Sequence, residues 1–132
     1  MQFAPHISFL AVMAALTLAA CQNTAPVTQV PVRYYGVQTR LLDNDLVQFP
    51  VTLSGTKSAE QVARYAECAA AQYTLIRGFG FARNVRSRIG QQADRLSADA
   101  VYTISRSLPQ GTKTIDAEVV ADACARDNIP MV

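Results

Sequence analysis

Between Ser58 and Gly78 the chain carries a long amphipathic stripe, and that stripe decides what the rest can fold into. Val62, Tyr65, Ala66, Ala69, Tyr73 and Ile76 recur at three- and four-residue spacing, which is one face of an α-helix. Ser58 followed by Gln61 has the form of a capping box, and Gly78 stands where a helix ends in a left-handed residue. Glu60 and Arg64 form an i,i+4 pair on the solvent side. Ala69-Ala70-Ala71 keeps the middle of the helix thin, so that a sheet can approach closely. A single helix of this kind must bury its apolar face against strands, and the flanking segments supply them.

Upstream, Val32–Leu42 and Leu46–Leu53 flank the turn formers Asp43-Asn44-Asp45 and read as a β-hairpin. In the second arm Val47, Phe49, Val51 and Leu53 alternate with Gln48, Pro50 and Thr52, the period of a half-buried strand. Pro50 has no amide hydrogen, which makes this an edge strand or one bulged at that point. Downstream, Phe79–Val85 reads as a short strand with Phe79, Phe81, Arg83 and Val85 on one face. Arg86–Ser97 is polar and reads as an exposed loop, and Ala100–Ser105 as a strand. After the turn Leu108-Pro109-Gln110-Gly111, the residues Ile115, Ala117, Val119, Ala121 and Ala123 fall at alternate positions. That favours a final strand, although the alanine content also suits a helix. The expected class is α+β, one helix packed on a four- to five-stranded antiparallel sheet in two layers, in the order β-β-α-β-β-β.

The N-terminus is of another kind. Ile7–Ala20 is 14 residues without a charge, the length of a signal-peptide apolar core and too short to span a bilayer as a helix. It closes on Leu18-Ala19-Ala20-Cys21, which resembles the lipobox of bacterial lipoprotein precursors. Met1–Pro5 departs from that pattern in lacking Lys or Arg. The resemblance implies a signal peptide over 1–20 and a lipidated Cys21, whose covalent lipid is the only prosthetic group expected. Gln22–Pro31 is uncharged and contains two prolines, so residues 21–31 read as lipidated cysteine and tether, and 32–132 as one small periplasmic domain. Gln22 follows Cys21 in place of the aspartate of the inner-membrane retention mark in enteric lipoproteins; that part of the resemblance implies the periplasm-facing outer membrane, with the inner membrane and the cell surface as alternatives.

Cysteine usage agrees with export. Setting Cys21 aside leaves Cys68 and Cys124, and in an oxidising compartment such a pair is expected to bridge, two buried free thiols being the alternative. Two thiolates without a histidine leave a zinc site short of ligands. The only histidine, His6, lies in the leader. The remaining chain therefore has no Ser-His-Asp or Cys-His set, and no enzyme activity is expected of it.

Net charge is +2, which gives no argument for nucleic acid as a partner. The asymmetry is local: Arg77, Arg83, Arg86, Arg88 and Arg95 oppose one acid, Asp94, within 19 residues. Guanidinium forks match phosphates and carboxylates. Arg83, Arg86 and Arg88 are therefore the candidate anion-binding residues, the alternative being a solvated surface paired with Asp116, Glu118 and Asp122. Period two puts Arg83 on the opposite face from Arg86 and Arg88. If Arg83 is buried, Asp116 or Glu118 is its expected partner.

The segments Cys68-Ala69-Ala70-Ala71-Gln72-Tyr73, Arg77-Gly78-Phe79-Gly80-Phe81 and Ala98-Asp99-Ala100-Val101-Tyr102 give a general resemblance to small uncharacterised envelope lipoproteins of proteobacteria. It implies no activity. The expected function is a membrane-anchored, non-catalytic interaction or assembly module of the cell envelope with a protein or cell-wall partner. The alternative is a small-ligand or anion-binding lipoprotein using Arg77–Arg95.

Overall fold

The computed structural model describes Pro26 and residues 28–132. The expected signal peptide and Cys21 lie outside the described residues. The elements are β1 (Arg33–Val37), β2 (Arg40–Leu41), β3 (Leu46–Ser54), α1 (Ala59–Ile76), β4 (Phe81–Gln92), β5 (Arg95–Ser105), β6 (Thr114–Asp116) and α2 (Ala117–Arg126). They form one antiparallel sheet in the order β1-β3-β5-β4-β6, with β2 continuing the line of β1 along β3. Two helices pack on it. The class is the expected α+β, with one helix more.

α1 forms for the reasons its sequence announces. The Ser58 hydroxyl accepts from the Gln61 amide at 3.2 Å. At the other end Gly78, at φ 76°, donates to the Leu75 carbonyl while Phe79 donates to Thr74, a Schellman closure. Val62, Tyr65, Ala66, Ala69 and Ala70 are buried against Val47, Phe49, Val51 and Leu53 of β3 and Leu96, Ala98, Ala100, Tyr102 and Ile104 of β5. Small residues on both layers bring helix and sheet close, and Phe49 fills the space between them. Its ring meets those of Tyr73 and Tyr102 edge-on at 5.7 and 6.0 Å. Ile76, expected on the buried stripe, is instead 65% exposed at the last residue of α1. Arg64 pairs with Glu67 at 3.0 Å, not with Glu60.

Three expectations need correction. Residues 117–126 are helix, and only Thr114–Asp116 are strand. The Asp116 carboxylate accepts from the amides of Glu118 and Val119, an N-cap, and the buried residues Ala117, Ala121 and Cys124 follow helical spacing. Asn128, at φ 54°, closes the helix as Gly78 closes α1, with Ile129 donating to Cys124. Second, Arg86–Ser97 is not a loop: β4 and β5 continue to a two-residue turn at Ala93-Asp94. Third, β3 is not an edge strand. Its Pro50 carbonyl accepts from Gln38, so its nitrogen faces the same side, and the return bond that proline cannot donate falls where β1 and β2 are interrupted, leaving the β5 side intact.

Cys68 and Cys124 are joined by a disulfide. With α2 a helix, the bridge ties the two helices to each other within one layer.

Candidate functional site

The helices cover one face of the sheet, and the other is open. On β3 and β5 the open face carries Gln48, Pro50, Thr52, Ser97, Asp99, Val101 and Thr103, the residues alternate to the core set. β4 would present Arg83 here and hide Arg86 and Arg88 if it were regular. It is bulged: Asn84 stands opposite Tyr102 and Arg86 opposite Val101, which leaves Val85 as the extra residue. The parity reverses across it. Arg83 (opposite Thr103), Arg86 (opposite Val101) and Arg88 (opposite Asp99) therefore all lie on the open face.

The same registers bring in three more arginines, two of them from distant sequence. Arg33 and Arg95 both stand opposite Ser54, and Arg40 opposite Gln48. Six of the ten arginines thus share one face. Within the β1–β3–β5–β4 ladder the acid on that face is Asp99, since Asp116 is turned into the N-terminus of α2. Asp99 takes a hydrogen bond from the Gln48 amide at 2.7 Å and pairs with Arg86 at 3.5 Å. At that exposure the pair contributes at most about 1 kcal/mol. Among the described residues Arg33, Arg40, Arg83, Arg88 and Arg95 make no ion pair. Arg83 is exposed and lies against Gly111, so the expected partnership with Asp116 or Glu118 does not form.

At one end of the face Arg95 lies over the Tyr35 ring at 4.2 Å, with Arg33 on the same ring at 5.9 Å. The Tyr35 hydroxyl bonds Ser54 at 3.1 Å. That bond lowers the pKa of the phenol, burial opposes it, and the guanidinium groups of Arg95 and Arg33 reinforce it. At the other end Arg40, Gln48, Arg88 and Asp99 line an open depression of about 390 Å³. Sequence reading found Arg83, Arg86 and Arg88 but missed Arg33 and Arg40, because the strand order that brings them to this face has no local signal. Arg95 lay in the named segment without an assigned side.

A second concavity, of about 990 Å³, runs beside β4 on the helix side. Gln61, Arg64 and Glu67 of α1 form one wall, and Asn84, Ser87 and Tyr102 form the floor. Burial pushes the Tyr102 phenol up to about 12, opposed by its hydrogen bond with the Asn84 side chain. It is therefore a neutral hydroxyl at any ordinary pH.

The arrangement defines a small two-layer α+β domain with a cationic open sheet face. The profile of the YNQ4 C-terminal domain family matches residues 34–128, and the chain belongs to that family. It is also similar to an uncharacterised 26.9 kDa protein of Paracoccus denitrificans, from the region 5′ of nqo8, with 25% identity over 87 residues. That match covers 66% of this chain and 34% of the relative, so the chain spans about a third of the length of the curated relative it matches. No solved structure shows significant similarity.

Proposed function

We propose that this chain is an exported, lipid-anchored, non-catalytic binding domain that engages an anionic component of the cell envelope through its open sheet face. One observation carries the reading. Six arginines converge on one face from four strands, and among the described residues one of them is ion-paired. Like charges gathered on a sheet destabilise it slightly, and an anionic partner turns that cost into attraction. The face is broad and its depressions are open, which suits an extended partner better than an enclosed small ligand. Attachment through Cys21 would hold this face within a short tether of the membrane, and the Cys68–Cys124 disulfide fits an oxidising compartment.

The test is retention of the purified chain on polyglutamate resin and on phosphatidylglycerol vesicles, with phosphatidylcholine vesicles as control. Retention is expected on both anionic supports, falling as salt rises. It should weaken in Arg86→Ala/Arg88→Ala, whose stability should stay within about 0.5 kcal/mol of the parent. Equal retention of parent and variant at every salt concentration would refute the reading.

A further inference from the structure

The arginine face and the groove beneath α1 meet along one line, the outer edge of β4. β6 pairs with β4 only at Phe81, Ala82 and Arg83. Asn84 donates once more, to the Lys113 carbonyl at 3.0 Å, and beyond it no strand of the described residues pairs with β4 as far as Gln92. This edge belongs to a regular ladder, because its other side is paired with β5 residue by residue from Arg86↔Val101 to Gln92↔Arg95.

Which backbone groups point off the edge follows from the registers. The Pro50 carbonyl faces Gln38, so the neighbouring Phe49 faces β5 and exchanges bonds with Ala100. Ala100 is therefore turned toward β3, and Ser87, opposite it on β4, is turned outward. By alternation the amides of Ser87, Ile89 and Gln91 all point off the edge.

We propose that an extended acidic segment of a partner polypeptide adds here as a further strand, antiparallel to β4 and in line with β6. This rests on the reading of the arginine face given above and names the partner's form and its mode of binding. Main-chain bonds to β4 would supply affinity, and alternate side chains would supply specificity. On one side of the added strand, side chains meet Arg86 and Arg88, which favours carboxylates. On the other they enter the 990 Å³ groove between the edge and α1, lined by Gln61, Asn84, Ser87 and Tyr102. Ile89 at 43% exposure and Val85 at 57% offer apolar contact along the edge. A second copy of this chain is disfavoured as the occupant, because pairing two β4 edges antiparallel sets the Arg86 and Arg88 pairs of the two copies against each other.

The experiment uses the full chain in mild detergent and an alternating Glu-Val octapeptide, with a peptide of the same composition in two blocks as control. Amide hydrogen exchange and fluorescence anisotropy are the readouts. The alternating peptide should bind more tightly than the block peptide and slow exchange at Ser87, Ile89 and Gln91. Ile89→Pro removes one outward donor and obstructs the incoming strand without losing a bond to β5. It should weaken binding by about tenfold or more.

Exchange at those three amides in the parent chain needs no variant, so the idea remains testable if Ile89→Pro folds poorly. Unslowed exchange at saturating peptide, or equal affinity for the two peptides, would overturn strand addition. Self-association that protects the same three amides would overturn it in favour of a second copy. If polyglutamate resin still retains the chain in an arginine-dependent way after such a result, the anionic-face reading stands and only this inference falls. Loss of that retention removes both.

Discussion

Replacing both bridge cysteines, Cys68→Ala with Cys124→Ala, is expected to cost about 4–5 kcal/mol, and the loss should begin in α2. The bridge joins residues separated by 56 positions. The loop-closure relation for a ring of that size gives roughly 14 cal/mol/K, or about 4 kcal/mol at 25 °C. Both cysteines are fully buried, so the alanines also leave small voids, which add on the order of 1 kcal/mol. α2 has only 10 residues, well below the length at which a helix is stable alone. Its remaining hold is small: the buried Ala117 and Ala121, the half-buried Val120 and Ala123, and the bond from the Ala117 amide to the Gly80 carbonyl. The assay is guanidinium denaturation of the oxidised parent and the double variant, with amide exchange read element by element. For a domain of this size the midpoint of thermal unfolding should fall by roughly 15–30 °C. Exchange over Ala117–Arg126 should accelerate more than in β3 or β5. A loss below about 1 kcal/mol, with exchange raised evenly across the domain, would refute the reasoning that this bridge holds α2 on α1.

Two further outcomes concern single side chains. Tyr102 is held protonated up to about 12, whereas in the unfolded chain it titrates near 10.0, the ordinary value of the phenol. The unfolded state therefore loses its proton first, and the contribution, roughly 2–3 kcal/mol, is complete below pH 10 and is lost as pH rises through about 12. Urea midpoints measured across that window should fall less steeply in Tyr102→Phe than in the parent; identical slopes would count against it. Asp116→Ala removes the acceptor for two amides at the start of α2 and should cost about 1 kcal/mol by denaturation. Asp116→Asn should keep most of that stability, and a loss equal to that of alanine would contradict the capping account.

Much of the architecture was legible because it is encoded locally. The stripe of α1, its Ser58 cap and Gly78 stop, the alternation of β3 and the turn at Asp43-Asn44-Asp45 each depend on neighbours within a few residues. The Cys68–Cys124 pairing was legible by elimination among three cysteines. Other features were hidden for identifiable reasons. The outer part of β4 is exposed on both sides, so it lacks the apolar alternation that betrays a strand, and its turn into β5 has Ala93 at φ 54° where a glycine would have been the signal. α2 is disguised by alanines, which fit either period, and the Asp116 cap looks in sequence like one more polar position between alternating apolar residues. Half of the arginine face depends on which strands are neighbours, and no local pattern states that.

The bulge at Val85 puts the chain's alphabet and its geometry out of phase by one letter. In sequence Arg83 and Arg86 are an odd number apart and belong to opposite sides, yet in space they are successive teeth of one comb. A relative one residue shorter at this point could present the same comb from a plain, unbulged strand. A relative of equal length that lost the bulge would break the comb while every arginine stayed in its column. Among members of this family, gaps opposite Val85 are thus better informants about the cationic face than identities at the arginines themselves.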